Sequence, residues 1–283
     1  MEKVRPFLYR IAQLGFRPMP GAHASAMSGA GQLFKRHDSL LANPDARRLD
    51  LRASVLNPFQ EFKVKVYQQA SRIPMLVIAD LSLSMSYIGL SNKQQALADF
   101  AASAAYSAQQ TGDSFTFIGC GRQADTRWLT AGHLGFGAIP AMADALRSRQ
   151  LTGKAESLTE VSQYVPNKRS LIFVVSDFHL PAERITTLLG RLTGHIVIPV
   201  VLWDEAEYAA LPNWGIWKVK DLESNATRTL LLRPGYKQKI QVAFKQHRQR
   251  LQQLCRAFSA EPLFINGTYN ADVVTAYFYG RAV

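Results

Sequence analysis

"MLVIADLSLSMSYIG", residues 75–89, is the stretch on which the reading of this chain turns. A near-continuous apolar run, beginning at Ile73, ends in Asp80, and hydroxyls follow at alternate positions, Ser82 and Ser84. Such a run is the pattern of a strand buried on both faces of a parallel sheet. Open α/β sheets bind ligands beyond the carboxyl ends of their strands, where the strand order reverses, and Asp80 stands at such an end. An Asp-x-Ser-x-Ser spacing in a turning loop can aim one carboxylate and two hydroxyls at one point. That hard, all-oxygen set suits a divalent cation that keeps several waters, Mg²⁺ first, with Mn²⁺ or Ca²⁺ as alternatives. The plain alternative is that the serines only cap the helix that follows.

Working outward, strands alternate with helices from residue 72 onward. "KQQALADFAASAAYSAQQTGD" (93–113) predicts an Ala-rich helix closed by Gly112. "SFTFIGC" (114–120) predicts a strand, paired with "TRWLT" (126–130), and helices are expected near 138–149 and 157–164. "SLIFVVSD" (170–177) is a second buried strand, "PAERITTLLGRLT" a helix, and "HIVIPVVLW" a further strand. "GIWKVKD" and "TRTLLLR" predict a β-hairpin at 216–233, and a long amphipathic helix is expected over 235–258 with Ile240, Phe244, Leu251, Leu254 and Phe258 on one face. A short strand near "PLFI" and a helix near 270–279 close the chain. This alternation predicts a doubly wound, mostly parallel α/β sheet over residues 71–283.

Residues 1–70 read differently, as a lead-in and small β-rich extension. "RPMPGAHASAMSGAG" is crowded with turn formers, which predicts extended chain after a short helix over 4–14. From 47 to 71, alternation such as Phe62, Val64 and Val66 against Lys63, Lys65 and Tyr67 predicts exposed strands.

The bulk numbers exclude several classes. The longest apolar run, "IVIPVVLW", is too short to cross a bilayer, and the amino-terminal residues lack the apolar stretch and cleavage site of a secretory leader. The two cysteines, Cys120 and Cys255, lie far apart in no metal-type spacing, which fits reduced thiols in a cytoplasm. The sequons at Asn225 and Asn266 therefore carry no weight. The formal net charge is +12, which favours anionic partners: nucleic acid, acidic lipid or an acidic protein surface. No acid occurs between Glu223 and Glu261, whereas Lys237, Lys239, Lys245, Arg248 and Arg250 fall there with Arg228, Arg233 and Arg256. These read first as the solvated face of a helix and second as a weak anion or partner site.

Residue types also exclude most catalytic designs. There is no G-x-S-x-G elbow and no phosphate-binding G-x-x-x-x-G-K-[ST] loop, and "GCGRQA" lacks the third glycine of a dinucleotide fingerprint. A phosphoryl-transfer aspartate loop wants a second acid where Ser82 stands. Asp177, ending "SLIFVVSD", would complete the cation site if its strand neighbours the first one. A further hydroxyl can come from "TGKAESLTE", Ser157 first and Thr152 or Thr159 second. His179 reads as a hydrogen-bonding residue ahead of a helix rather than a ligand.

Taken together, these residues carry a resemblance. "DLSLSM" resembles the metal-ion-dependent adhesion motif of von Willebrand factor A-type domains. More narrowly, "NPDARRLDLRAS", "DLSLSM", "SLIFVVSDF" and "VKDLESN", in that order, resemble the bacterial family known as domain of unknown function fifty-eight. The resemblance implies a Rossmann-type sheet of strand order 3-2-1-4-5-6, with Asp80 and Asp177 side by side. It implies Asp80, Ser82, Ser84 and Asp177 as metal ligands, with Ser157 or Thr159 in place of the usual threonine. A cation with an open position and no adjacent base, nucleophile or cofactor loop suits a non-enzymatic, cytoplasmic interaction module. The resemblance implies that such a module works, chaperone-like, with a MoxR-type AAA+ ATPase in maturation, or metal or cofactor loading, of a client complex. An oxidoreductase such as methanol dehydrogenase is one candidate client. The other readings are a basic nucleic-acid-binding protein using the 235–256 stretch of the long helix, and, behind it, a Mg²⁺-dependent hydrolase for which a general base is missing.

Overall fold

A computed structural model describes residues 4–11, 19–29, 33–59, 61–127, 134–208, 215–220, 227–232 and 235–280. Three strands precede the main sheet: β1 (Met19–Gly29), β2 (Leu33–Ser39) and, after helix α1 (Leu51–Val55), β3 (Lys63–Arg72). They pair antiparallel in the order β1-β3-β2. The expectation of strands over 47–71 holds only from Lys63 onward. Asp50 accepts a hydrogen bond from the Ala53 amide at 3.1 Å and starts α1 as its cap, an option that alternation alone does not reveal. Val64 and Val66 are buried, whereas Phe62 is exposed.

The main sheet is built from β4 (Pro74–Asp80), then helix α2 (Lys93–Thr111), β5 (Ser114–Cys120), β6 (Ala124–Asp125) and α3 (Ala138–Ser148). It continues with β7 (Leu171–Ser176), α4 (Ala182–Arg191) and β8 (Ile196–Trp203). The antiparallel pair β9 (Gly215–Lys220) and β10 (Thr227–Leu232), helix α5 (Tyr236–Ala257), strand β11 (Leu263–Asn266) and α6 (Ala271–Gly280) follow. The six strands run β11-β8-β7-β4-β5-β6, all neighbours parallel except β6 against β5. Numbered along the chain, this is the order 3-2-1-4-5-6, with its reversal between β4 and β7. The pair of β5 is Ala124–Asp125, earlier than "TRWLT"; residues 128–130 of that segment lie outside the described residues. The helix expected near 157–164 is instead two 3₁₀ turns, Glu156–Thr159 and Val161–Tyr164.

Strand pleating sorts the core into two layers. Met75, Val77 and Ala79 of β4, with Leu171, Phe173 and Val175 of β7, face α2, α3 and α6. Leu76 and Ile78, with Ile172 and Val174, face α4, the 155–161 turns and the Leu251–Cys255 stripe of α5. Both faces of the strands are covered, which is why these segments carry no polar alternation. On α5 the buried pair is Leu251 and Cys255, with Phe244 and Phe258 packed against it and Leu254 only partly buried.

The helix expected over 4–14 does not form in residues 4–11. Phe7, Tyr9 and Ile11 are buried and Leu8 and Arg10 exposed, a period of two belonging to extended chain. Exposed Leu8 among these residues masks the alternation in the sequence. The segment lies along α2, whose hydroxyls meet it at successive turns. Ser103 donates to the Arg5 carbonyl at 2.5 Å, the Phe7 amide donates to Ser107 Oγ at 2.9 Å, and the Tyr9 hydroxyl meets Thr111 at 2.7 Å. On the opposite flank the Leu8 amide donates to Thr275 of α6 at 3.1 Å. Phe7 stacks on Phe100 and Phe278 and meets Phe173 edge-on, with centroids 6.1, 6.2 and 5.9 Å away. Phe7→Ala is expected to cost about 3–4 kcal/mol of unfolding free energy in urea titrations, whereas Leu8→Ala should stay within about 0.5 kcal/mol. Equal effects would mean that the segment is not part of the core.

Candidate functional site

Asp80 closes β4 and is 1 % exposed. Its Oδ1 accepts the Ser82 amide at 2.8 Å, a turn that folds the loop back over the strand end. Its Oδ2 accepts the hydroxyl of Ser176, the last residue of neighbouring β7, at 2.7 Å. Ser176 Oγ in turn accepts the Phe178 amide at 3.0 Å. Phe178 has a positive φ of 52°, unusual for a bulky residue, and is fully buried in the α4–α5 layer. Packing on that layer holds the turn that carries Asp177 over the sheet edge.

The two serines do not behave as caps. Ser82 precedes the 3₁₀ turn Leu83–Ser86 but makes no side-chain capping bond to it. Its hydroxyl instead meets that of Ser84 at 3.1 Å. The loop is braced from the β5 side, where the Leu83 amide donates to the Gly153 carbonyl at 3.0 Å. Burial first, and then repulsion by the Asp177 charge, push the Asp80 carboxyl up from 3.8 to about 6. Two repelling carboxylates with two converging hydroxyls are the donor set a hard divalent cation accepts. Among the described residues no group of three or more His, Cys, Asp or Glu gathers to hold a metal, so the fit rests on two carboxylates, hydroxyls and water.

The other residues singled out in the sequence divide. Asp177 lies at the same sheet edge: its Oδ1 accepts the His179 amide at 3.2 Å and its carbonyl accepts Trp203 Nε1 at 2.8 Å. Ser157 sits on the β5 flank, where its hydroxyl donates to the Gly121 carbonyl at 2.9 Å, leaving its lone pairs uncommitted by that bond. Thr159 and Thr152 are not in the core, and the Thr159 hydroxyl turns back to the Glu156 carbonyl at 3.4 Å. The rings of His179, Trp203 and His247 form a cluster, with centroids 6.2 Å (His179 to Trp203), 5.4 Å (His179 to His247) and 5.7 Å (Trp203 to His247) apart, and the His179 amide makes the hydrogen bond to Asp177. Lys239, Lys245, Arg248 and Arg250 are exposed along α5 and Lys237 partly so, with the Arg248 guanidinium 4.2 Å over the Phe264 ring.

Sequence reading missed Lys93, Ser176, Asp204 and Glu207. The Lys93 ammonium reaches Asp177 Oδ2 at 3.4 Å and Glu207 Oε1 at 2.5 Å. Its signal was there: a lysine opening a helix opposes the helix dipole and needs a reason. The acids after β8 gave none, because Asp204 and Glu207 read as ordinary loop residues.

A family model described as "Protein of unknown function DUF58" matches residues 44–252, a span that holds the Asp80 loop and Asp177. The chain belongs to this family. A curated relative, the "uncharacterized protein in moxR 3'region" of Paracoccus denitrificans, is 32 % identical over 72 residues, covering 25 % of this chain and 69 % of the relative. Among solved structures, the chain is similar to an aerotolerance-related membrane protein of Bacteroides fragilis, crystallised with multiple mutations to serines, at 10 % identity and a TM-score of 0.42 over 74 % of this chain and 97 % of that one. It is also similar to the conserved hypothetical protein BatB of Bacteroides thetaiotaomicron, at 12 % identity and a TM-score of 0.40, with the same coverage. Among the described residues, no helix of this DUF58 chain is long and apolar enough to cross a membrane.

The raised Asp80 carboxyl gives a pH signature. The folded chain binds this proton more tightly than the unfolded chain, so the group's contribution is fully favourable below about pH 4 and is lost as pH rises through about 6. Asp80→Asn carries no such charge. Without divalent ions, its stability relative to wild type should rise between pH 4 and pH 7 by on the order of 3 kcal/mol. Paired urea titrations across that window measure it, and a flat difference would show Asp80 to be ionised without cost.

Proposed function

We propose that this DUF58 chain is a non-enzymatic, metal-dependent interaction module that acts with a MoxR-type AAA+ ATPase on a client protein complex. In this reading the 80–85 loop is an adhesion-type metal motif on a von Willebrand factor A-like sheet. Asp80, Ser82, Ser84 and Asp177 hold a divalent cation, Mg²⁺ in the cell, and Ser157 supports the β5 flank. The observation that carries the reading is the pair of hydroxyls 3.1 Å apart beside a buried carboxylate, spent on neither cap nor backbone. The relative encoded in a moxR 3' region supports the choice of ATPase partner.

Such an ion retains exchangeable positions and supplies a positive charge that a partner's Asp or Glu can meet. The chain's own residues do the rest. Ser176 and the Ser82 amide orient Asp80, Phe178 packing places Asp177, and the exposed cations of α5 draw an acidic partner in. The reading as a binding module rather than an enzyme is supported by His179, two residues after Asp177, whose ring lies in a cluster with Trp203 and His247, with centroids 6.2 and 5.4 Å away. A role in maturation, or in metal or cofactor loading, of a client such as an oxidoreductase follows from pairing such a module with an ATPase motor.

Pull-down of a MoxR-type AAA+ ATPase by wild type and by Ser84→Ala, in Mg²⁺ or in EDTA, tests the reading. Recovery is expected from wild type in Mg²⁺ alone, with at least a tenfold loss in the other three arms. Equal recovery in all four would mean that the partner binds elsewhere and the loop is structural. Lys245→Glu with Arg248→Glu should slow association and flatten its salt dependence while leaving Mn²⁺ affinity unchanged in calorimetry.

A further inference from the structure

Lys93 opens α2, yet its side chain is only 2 % exposed. Helix amides repel a cation at that position, and an ammonium out of water is costly unless opposite charge surrounds it. Asp177 and Glu207 provide that charge, the second at the shorter distance of 2.5 Å against 3.4 Å. The Tyr87 ring covers the ammonium with its centroid 5.5 Å away.

Glu207 is itself part of a clasp. Its Oε2 accepts the Asp204 amide at 3.3 Å. The Asp204 carboxylate accepts the amides of Leu90, Ser91 and Ala206 at 3.2, 2.6 and 2.7 Å, and the Ser91 hydroxyl as well. Gly89 approaches so closely that an added Cβ would stand 2.8 Å from both Ala206 Cβ and Asp204 Oδ1. The turn after β8 and the loop leading into α2 therefore form one unit, and Lys93 is the strut joining that unit to Asp177.

We propose that Lys93 is a built-in competitor for the divalent cation: ammonium and ion share Asp177, so Lys93 weakens ion binding and couples ion occupancy to the Asp204–Glu207 clasp. The inference rests on the metal-binding reading above. An ion taking hold of Asp177 leaves the ammonium to Glu207, already its closer partner, and the clasp tightens on α2. Without the ammonium, the whole charge of Asp177 is available to the ion. Without the Glu207 charge, the ammonium has only Asp177 to hold, and the ion is excluded more strongly.

The two substitutions therefore act in opposite directions, which general disruption of the fold would not produce. Mn²⁺ titration of the full chain by calorimetry at pH 7.5 is expected to show Lys93→Met binding about tenfold tighter than wild type and Glu207→Gln about threefold or more weaker. Lys93→Arg, which keeps the charge, should stay within about twofold of wild type. Hydrogen exchange should show the Leu90 and Ser91 amides gaining protection on Mn²⁺ addition in wild type and not in Lys93→Met. Lys93→Met binding Mn²⁺ no better than wild type would overturn the inference alone. So would Glu207→Gln binding unchanged or tighter, a readout that stands even where Lys93→Met does not fold. No Mn²⁺ binding by wild type or by any variant would overturn it together with the metal-binding reading.

Discussion

Two buried carboxylates meet at the edge of the main sheet where the strand order reverses, and the local structure is arranged around keeping that charge tolerable. β4 and β7 are parallel neighbours, so their carboxyl ends emerge together, and the connections leave in opposite directions. The gap this opens is where Asp80 and Asp177 sit, both almost wholly out of water. Loss of hydration, and after it repulsion by Asp177, hold the Asp80 carboxyl above its ordinary range. Four polar groups answer that charge: the Ser82 amide, the Ser176 hydroxyl, the His179 amide and the Lys93 ammonium.

This arrangement links distant parts of the chain. Ser176 ties the ends of two strands, Lys93 ties a helix start to the turn after β8, and Trp203 Nε1 ties the end of β8 to the Asp177 carbonyl. The charged centre and the loops that rim it are therefore joined by hydrogen bonds and ion pairs, which is the physical basis of the binding role proposed for this edge. The stability of the surroundings comes from elsewhere. Two covered sheet faces and the extended segment at Phe7–Ile11 supply the apolar burial that allows polar groups to be kept at the edge.

The strands and helices of the main sheet were legible because each is dominated by a single pattern. "IPMLVIAD" and "SLIFVVSD" have no polar alternation to confuse them, and α2 ends where Gly112 adopts a left-handed conformation, φ 72°. The small β-rich extension was less legible because capping competes with alternation there. Asp50 starts a short helix in a stretch whose charges and apolar residues alternate like a strand. The first residues were misread for the opposite reason: Phe7, Tyr9 and Ile11 form a period of two that Leu8 interrupts, and only the hydroxyl stripe of α2 explains why extended chain lies there.

By itself the sequence determined the strand–helix alternation, the position of Asp80 at a strand end and the hydroxyls two and four residues beyond it, because these depend on local periodicity and spacing. It could not determine what surrounds them. That Ser82 and Ser84 turn toward each other rather than cap a helix, and that Ser176 bridges two strand ends, depend on neighbours far away in the chain. Lys93 is the clearest case. Its partners lie 84 and 114 residues away, and only the folding of α2 against the end of β8 turns three ordinary charged residues into a buried ion pair network. Charge pairing out of water is a property of the enclosure, and the enclosure exists only in the tertiary structure.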